Sequence, residues 1–541
     1  MIPERPEARH GIFEGRLERV ETSPKKPMSE PEGSECKKMD INRLLTTVSS
    51  GYFVTQVITI IFLCVLGYVF IWAMCSRTKC AERMLLAFPA GLAFYCAVIY
   101  GMMVLRIRIS RPSVIAVFLL VAAAVFTATG FYRKKRYGSF LPDGKNFSWK
   151  EFLLLAVIGG ILACIATSGL LTVSLDNDSF YYYSSYPQMI IREGGLKYEF
   201  DVFLTDVGPV AAVINTLPYV FEFSNTFGIQ HFINCVFIII FAYAIFTELS
   251  ERGIQKKTAA AISAVSSLFL ATSPAYLTTA KWVMAGDWFM VLFFLLAYFG
   301  YRDAREEEDM APVLMLFAFM VTGTRQEGPV MLCLLAVCFC ILSVSGKRIV
   351  CLYMFPAALS AIFYYLCIFV FIGVRPLYAF LTPQKALLMA GMLLVCAIFI
   401  LIIKTKPFEG LQKKLCILIP AGTVLLNIAM LAINHERYMT NLYSFFMNIR
   451  LRNGWGYFGY VFFVFIILAM IYTFVYKDRE ISFFDVLMIG YILAVVCASW
   501  GRGDHLRIGT GDSGNRVMLT AVPLIVFSMT VRVGRIIGAH K

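Results

Sequence analysis

From residue 51 onward the chain is a near-continuous succession of apolar runs, most of them long and almost free of charge. A helix of about 20 such residues, rising 1.5 Å per residue, matches the ~30 Å hydrocarbon core of a bilayer. The composition agrees, with 59% hydrophobic and only 16% charged residues and a mean hydropathy of +0.71, against roughly 45–50% and about 25% in soluble domains. The periodicity predicts helices near 52–75, 84–104, 112–132, 152–173, 227–248, 258–279, 283–300, 310–323, 327–345, 349–372, 386–404, 415–433, 457–476, 484–500 and 517–533. The expected fold is an all-α polytopic membrane protein with about 14 or 15 transmembrane helices. The pair 310–323 and 327–345 is short enough to be one hairpin with Thr324 to Gly328 at its tip.

Residues 1–45 are rich in Glu, Lys, Arg and Pro and carry no apolar run, so they read as a disordered polar tail rather than a signal peptide. The largest connection, 174–226, mixes Tyr, Pro and Asp with short apolar stretches. It is expected to be a folded loop carrying short amphipathic helices that lie on the membrane.

Lys and Arg gather on the cytoplasmic side of membrane proteins. With loop 174–226 outside, the inner segments hold 25 of the 49 Lys and Arg, the outer loops 15 and the tail 9. The same scheme puts the basic tail outside, against that rule. The net charge of +14 is therefore a topology signal toward anionic membrane lipids, and no nucleic-acid partner is expected. The 15 Cys sit in or beside apolar runs, Cys36 in the tail excepted, with no disulfide framework. No repeat relates the two halves.

Polar residues concentrate on the outer ends of the runs, where charges must be paired or line a wet cavity. Asp176-Asn177-Asp178-Ser179-Phe180-Tyr181-Tyr182-Tyr183 follows the 152–173 run directly. Two carboxylates at i and i+2 can share a divalent cation, or one can act as general base while the other tunes it. They can equally be acids capping a helix end beside an interfacial Tyr belt. Asp287 opens the 283–300 run and is either a functional acid or a capping one. Arg325 and Glu327 at the hairpin tip read as a site pair or a plain ion pair, and Arg516 as a site residue or an interfacial anchor. His435 and His505 lack metal-ligand spacing.

An acidic pair just after a span, at the head of a large outer loop, resembles the arrangement of the GT-C superfamily of polytopic glycosyltransferases, in its bacterial form. Asp178 to Tyr183, with Pro187, Gly194 and Gly195, is similar to that family's acidic motif, with Tyr182 or Tyr183 where the family usually has His. Ala285-Gly286-Asp287-Trp288 resembles its second outer Asp. Thr324-Arg325-Gln326-Glu327-Gly328 resembles its break between two short helices, and Gly511 to Arg516, then Pro523, resembles its C-terminal segment. The likeness covers residues 151–535 and leaves 46–150 as additional N-terminal helices.

The resemblance implies transfer of a sugar from a polyprenyl-phosphate carrier to a hydroxyl on a glycan, lipid or protein acceptor, with inversion. Asp178 or Asp176 would be the base. Arg325, Arg516, Lys281, Arg450 and Arg452 would neutralise the donor phosphate, with Asp287, Glu327, Tyr182, Tyr183 and His505 in support. Mg²⁺ or Mn²⁺ at Asp176 and Asp178 is an option, since some members use one and others none. The implied location is a plasma membrane, bacterial by the same likeness, with the site on the outer face. Two rivals keep their place: an O-antigen-type polymerase or ligase built on outer-loop arginines, and a transporter or flippase for lipid-linked sugars.

Overall fold

The computed structural model describes residues 51–75, 78–140, 149–167, 185–195, 208–221, 228–274, 276–277, 285–306, 310–325, 327–365, 382–450, 455–475, 479–502 and 517–539. By contact the chain divides into Met1–Leu45 and Thr46–Lys541. The first unit, and with it the tail, lies outside the described residues. No strand occurs among those described.

The elements are α1 (Gly51–Met74), α2 (Cys80–Val104), α3 (Arg111–Tyr137), α4 (Trp149–Thr167), α5 (Tyr186–Glu193), α6 (Pro209–Ile214), α7 (Leu217–Phe221), α8 (Gly228–Glu251), α9 (Lys256–Ala271), α10 (Ala285–Glu306), α11 (Ala311–Thr324) and α12 (Gly328–Phe339). A helix then runs Gly346–Ile349, widens to a π turn at Val350–Met354 and continues as Phe355–Tyr365; this composite is α13. The chain closes with α14 (Pro383–Ile403), α15 (Leu415–Ile433), α16 (His435–Arg450), α17 (Tyr460–Val475), α18 (Arg479–Arg502) and α19 (Ala521–Ala539). A helix falls on each of the fifteen apolar windows. Among the described residues eight helices are long and apolar enough to cross a membrane, and six further apolar helices span 10–17 residues.

Local chemistry sets the boundaries. Ser110 and Ser113 form a reciprocal capping pair at the start of α3, and Gly138 ends it at φ +79, donating its N–H to the Lys134 carbonyl. Thr382 caps α14 by accepting from the Lys385 amide, with Pro383 in the first turn, where its missing N–H costs nothing.

Burial sorts the helices. α10 is enclosed on all sides, every residue from Trp288 to Phe299 being buried, as expected of a helix apolar all round. At the periphery the reverse holds: only 6% of the best 18-residue stretch of α15 is buried, and Leu387, Leu388 and Ile433 are each more than 70% exposed. Water would not tolerate an apolar face of that extent, whereas lipid chains cover it. The protein is an all-α, multi-pass membrane protein.

α1 and α2 cross backbone to backbone at Gly67 and Gly91. A Cβ on Gly67 would stand 1.8 Å from the Ala87 carbonyl oxygen, and one on Gly91 would stand 2.0 Å from that of Leu63. Small residues at such crossings let helix backbones approach, which is how helices pack in lipid.

Antiparallel connection gives the bundle two ends. At the first, which we call the Glu82 end, the start of α2 meets the ends of α8 and α10. Arg302, fully buried, reaches Glu82 at 3.4 Å and Glu251 at 3.1 Å. Arg305 bridges Glu248 and Glu251 at 3.1 and 3.3 Å, and Lys79 joins Glu251 at 3.4 Å. Asp303 pairs with Arg348 at 2.6 Å, and Asp485 pairs with Arg532 while accepting from the Ser528 hydroxyl. The opposite end carries the α11–α12 turn and is called the Arg325 end.

Within the described part of the connection between α4 and α8, α5 is a short amphipathic helix, while α6 and α7 depart from the expectation of helices lying on the membrane. The Gly194 carbonyl accepts from the Ile109 amide at 2.9 Å. α6 and α7 are buried in the bundle, with Val210 to Pro218 all enclosed. The Thr216 hydroxyl lies 2.8 Å from the Tyr95 hydroxyl near the middle of α2. The run Val210–Ile214 is too apolar for an interface, and Asn215 and Thr216 reach back to the carbonyls of Ala211 and Val213, so the segment can leave water.

Candidate functional site

The Arg325 end holds most of the described candidates. α11 stops at Thr324, and Arg325 leaves the helix in extended geometry (φ −145, ψ 153). Glu327 then precedes Gly328 and Pro329, which open α12. This break points both side chains the same way, and Arg325 Nε meets Glu327 Oε1 at 2.5 Å, with both side chains half-buried. α11 has 14 residues and so rises only about 21 Å, short of the ~30 Å core. A half-buried charge at the end of so short an apolar helix must be paired or must face a water-filled cavity.

Tyr491 of α18 comes up behind this pair. Its hydroxyl donates to the Val517 carbonyl at 2.9 Å, Thr520 lies beside it, and Arg325 and Glu327 stand within electrostatic reach. Gly208 closes on the other side. It takes φ +96, and a Cβ there would stand 2.6 Å from the Gly323 carbonyl oxygen. Only glycine fits both the dihedral and the gap, so the buried α6 segment is pinned to the last turn of α11.

α10 begins at the same end. Asp287 is buried in its first turn and accepts from Gln230 Nε2 of α8 at 3.0 Å. One turn along α8, Asn234 is buried with both side-chain amide atoms unpartnered among the described residues. The Tyr276 hydroxyl donates to the Asn234 backbone carbonyl. His231 is buried in the same turn of α8. Beneath this set lies a small cavity of about 10 Å³ between Trp288, Ile233, Ile214 and Met320. It marks where α6, α8, α10 and α11 converge.

Of the sequence candidates, Arg325, Glu327 and Asp287 thus share one end, with Asp287 tied to α8 and Arg325 to Glu327. Arg450 is exposed in the last turn of α16 and makes no described contact with Arg325. Asp176, Asp178, Tyr182, Tyr183, Lys281, Arg452, His505 and Arg516 lie outside the described residues. Among the described residues no cluster of three or more His, Cys, Asp or Glu side chains could hold a metal, and the Mg²⁺ or Mn²⁺ expectation rests on Asp176 and Asp178 alone.

Sequence reasoning passed over Gln230, His231, Asn234, Tyr276, Tyr491 and Thr520. The legible signal was Gln230-His231-x-x-Asn234, three polar groups within the first two turns of an otherwise apolar helix. Residues 435–450, which none of the predicted helices covers, form α16. It is a helix with Tyr438, Asn441, Ser444 and Phe445 inward and Met439, Tyr443 and Phe446 exposed. The Tyr438 hydroxyl donates to Asn427 Oδ1 of α15 at 3.0 Å.

No family model, curated protein or solved structure matches the chain.

Proposed function

We propose that the chain is a membrane glycosyltransferase of about 15 spans that moves a sugar from a polyprenyl-phosphate carrier to an acceptor hydroxyl at its Arg325 end, on the outer face. The observation that carries this reading is Arg325. It is a forked cation, half-buried on a break between two short apolar helices, at the end where Asp287 opens α10.

In this reading Asp178, or Asp176, takes the proton of the acceptor hydroxyl. The freed oxygen attacks the anomeric carbon from the face opposite the carrier. The bond from that carbon to the phosphate oxygen breaks, and its electron pair leaves on the phosphate, inverting the centre. The leaving group is already anionic and needs positive charge more than a proton. A guanidinium matches phosphate oxygens in a two-pronged geometry. Arg325 would exchange Glu327 for the donor phosphate as the donor seats, while the Tyr491 hydroxyl stays anchored on Val517. No step is routed through a metal.

A second reading has one observation in its favour. The buried ion pairs that seal the Glu82 end would also serve as a closed inner gate, as in a transporter of lipid-linked sugars. The test is transfer from a panel of radiolabelled polyprenyl-phosphate sugars in membranes, comparing wild type with Asp178→Asn and Asp176→Asn at equal expression. Transfer lost in Asp178→Asn supports the enzyme and its base. Transfer that survives both substitutions removes these carboxylates and favours an arginine-based polymerase or ligase. Movement of labelled donor across liposomes without transfer favours the transporter.

A further inference from the structure

A second cavity lies far from the Arg325 end, between α1, α2 and α3, with a volume of about 350 Å³. Over the stretch from Leu119 to Thr129, α3 stands away from the other two helices. Ala122 and Ala123 of α3 face Leu66, Phe70 and Ala73 of α1 without filling the gap. Contacts narrow both ends, and the side of the groove stays open. Phe118 wedges between Phe62 and Phe94, with ring centres at 5.8 and 5.4 Å. At the other end the Thr129 hydroxyl lies 2.6 Å from the Met74 sulfur, and Arg133 Nη1 donates to the Ala73 carbonyl at 3.0 Å. The gap is a groove bounded by these three helices and open along its side, where Leu119, Ala123 and Phe126 are exposed.

We propose that this groove binds one acyl chain of an anionic phospholipid, with the headgroup on the basic run at Arg133, Lys134 and Lys135. Three observations converge. The lining is apolar apart from Thr129, so water gains nothing there, while an unfilled gap of this size forfeits dispersion contacts along its whole wall. The ten steps from Leu119 to Thr129 rise about 15 Å, half of the ~30 Å hydrocarbon core, so the groove fits a chain from one leaflet and not a carrier spanning both. The groove also runs toward its positive end: Arg133 is buried one turn beyond Thr129, and Lys134 and Lys135 beside it are exposed. That is a cradle for an anionic headgroup at the depth where the chain begins.

The test uses the full chain in nanodiscs of phosphatidylcholine doped with phosphatidylglycerol, followed by detergent extraction and native mass spectrometry. The wild type is expected to retain one phosphatidylglycerol per chain. Ala123→Phe, which fills the groove, should lose it. Lys134→Gln with Lys135→Gln should retain a lipid but lower its preference for phosphatidylglycerol over phosphatidylcholine by about tenfold. Retention without headgroup preference overturns the proposal, as does full retention by Ala123→Phe or a retained mass matching a polyprenyl phosphate. Should Ala123→Phe prove misfolded by size exclusion, the wild-type headgroup preference and its change in the exposed lysine variant decide alone.

Discussion

Arg325 is the residue on which the functional reading turns. Its partner Glu327 holds the half-buried guanidinium in place, where an unpaired charge would be costly. If the cation neutralises the departing phosphate, Arg325→Ala should lower kcat/KM for sugar transfer by about 10²–10³-fold, the usual cost of removing one preorganised donor. Arg325→Lys should fall between, because it keeps the charge and loses the fork. Equal rates for all three proteins would detach the hairpin tip from the phosphate. Asp287 asks a different question. Removing its donor with Gln230→Ala leaves a buried carboxylate short of a hydrogen bond, expected to cost about 1–3 kcal/mol. The check is thermal unfolding in detergent, where Gln230→Glu, setting like charges together, should be worse still.

At the scale of elements, the distinctive feature is the buried α6–α7 segment and its clasp on α11. Gly208 carries both a left-handed backbone and a contact too close for a side chain. Gly208→Ala should therefore destabilise the protein by roughly 1–3 kcal/mol and disturb the hairpin tip through Gly323, seen as a transfer defect that outlasts compensation for stability. Gly195→Ala, where a Cβ would meet nothing within 4 Å, is the neutral control. The α1–α2 crossing makes a similar demand: Gly91→Leu would force the helices apart at Leu63, and its signature is a lowered yield of folded protein in a fluorescence-detected size-exclusion profile.

Across the described bundle, the buried ion pairs gather at the Glu82 end, while Arg325, Glu327 and Asp287 share the other. Arg302 is completely buried and serves two acids on different helices. Arg302→Met would leave Glu82 without its charged partner, at an expected cost of about 3–5 kcal/mol, read from the melting temperature in detergent. Pairing it with Glu82→Gln should recover part of the loss, since the uncompensated charge is then gone. The sidedness has its own measurement. In a cysteine-free background, Cys placed at Lys347, at the Glu82 end, and at Thr382, at the Arg325 end, should react with a membrane-impermeant maleimide from opposite faces. Labelling of both from one face would break the alternation of spans.

Much of this was legible along the chain. The window 415–433 coincides with α15, and the other fourteen windows each meet a helix, because the burial of an apolar run in lipid is a sum over neighbouring residues and needs no knowledge of distant ones. The Thr324 to Gly328 break was legible for the same reason: its charges, glycine and proline interrupt that sum. Local pattern went astray at α6–α7 and α16, where the same short apolar or amphipathic stretch can lie on a membrane or enter a bundle, and only the partner surface decides. The sequence alone thus determined the helices and their class. The tertiary structure decided which charges meet. Lys79 and Glu251 stand 172 residues apart, and Gln230 finds Asp287 across 57. Such pairings depend on how helices pack in three dimensions, which no sum along the chain contains.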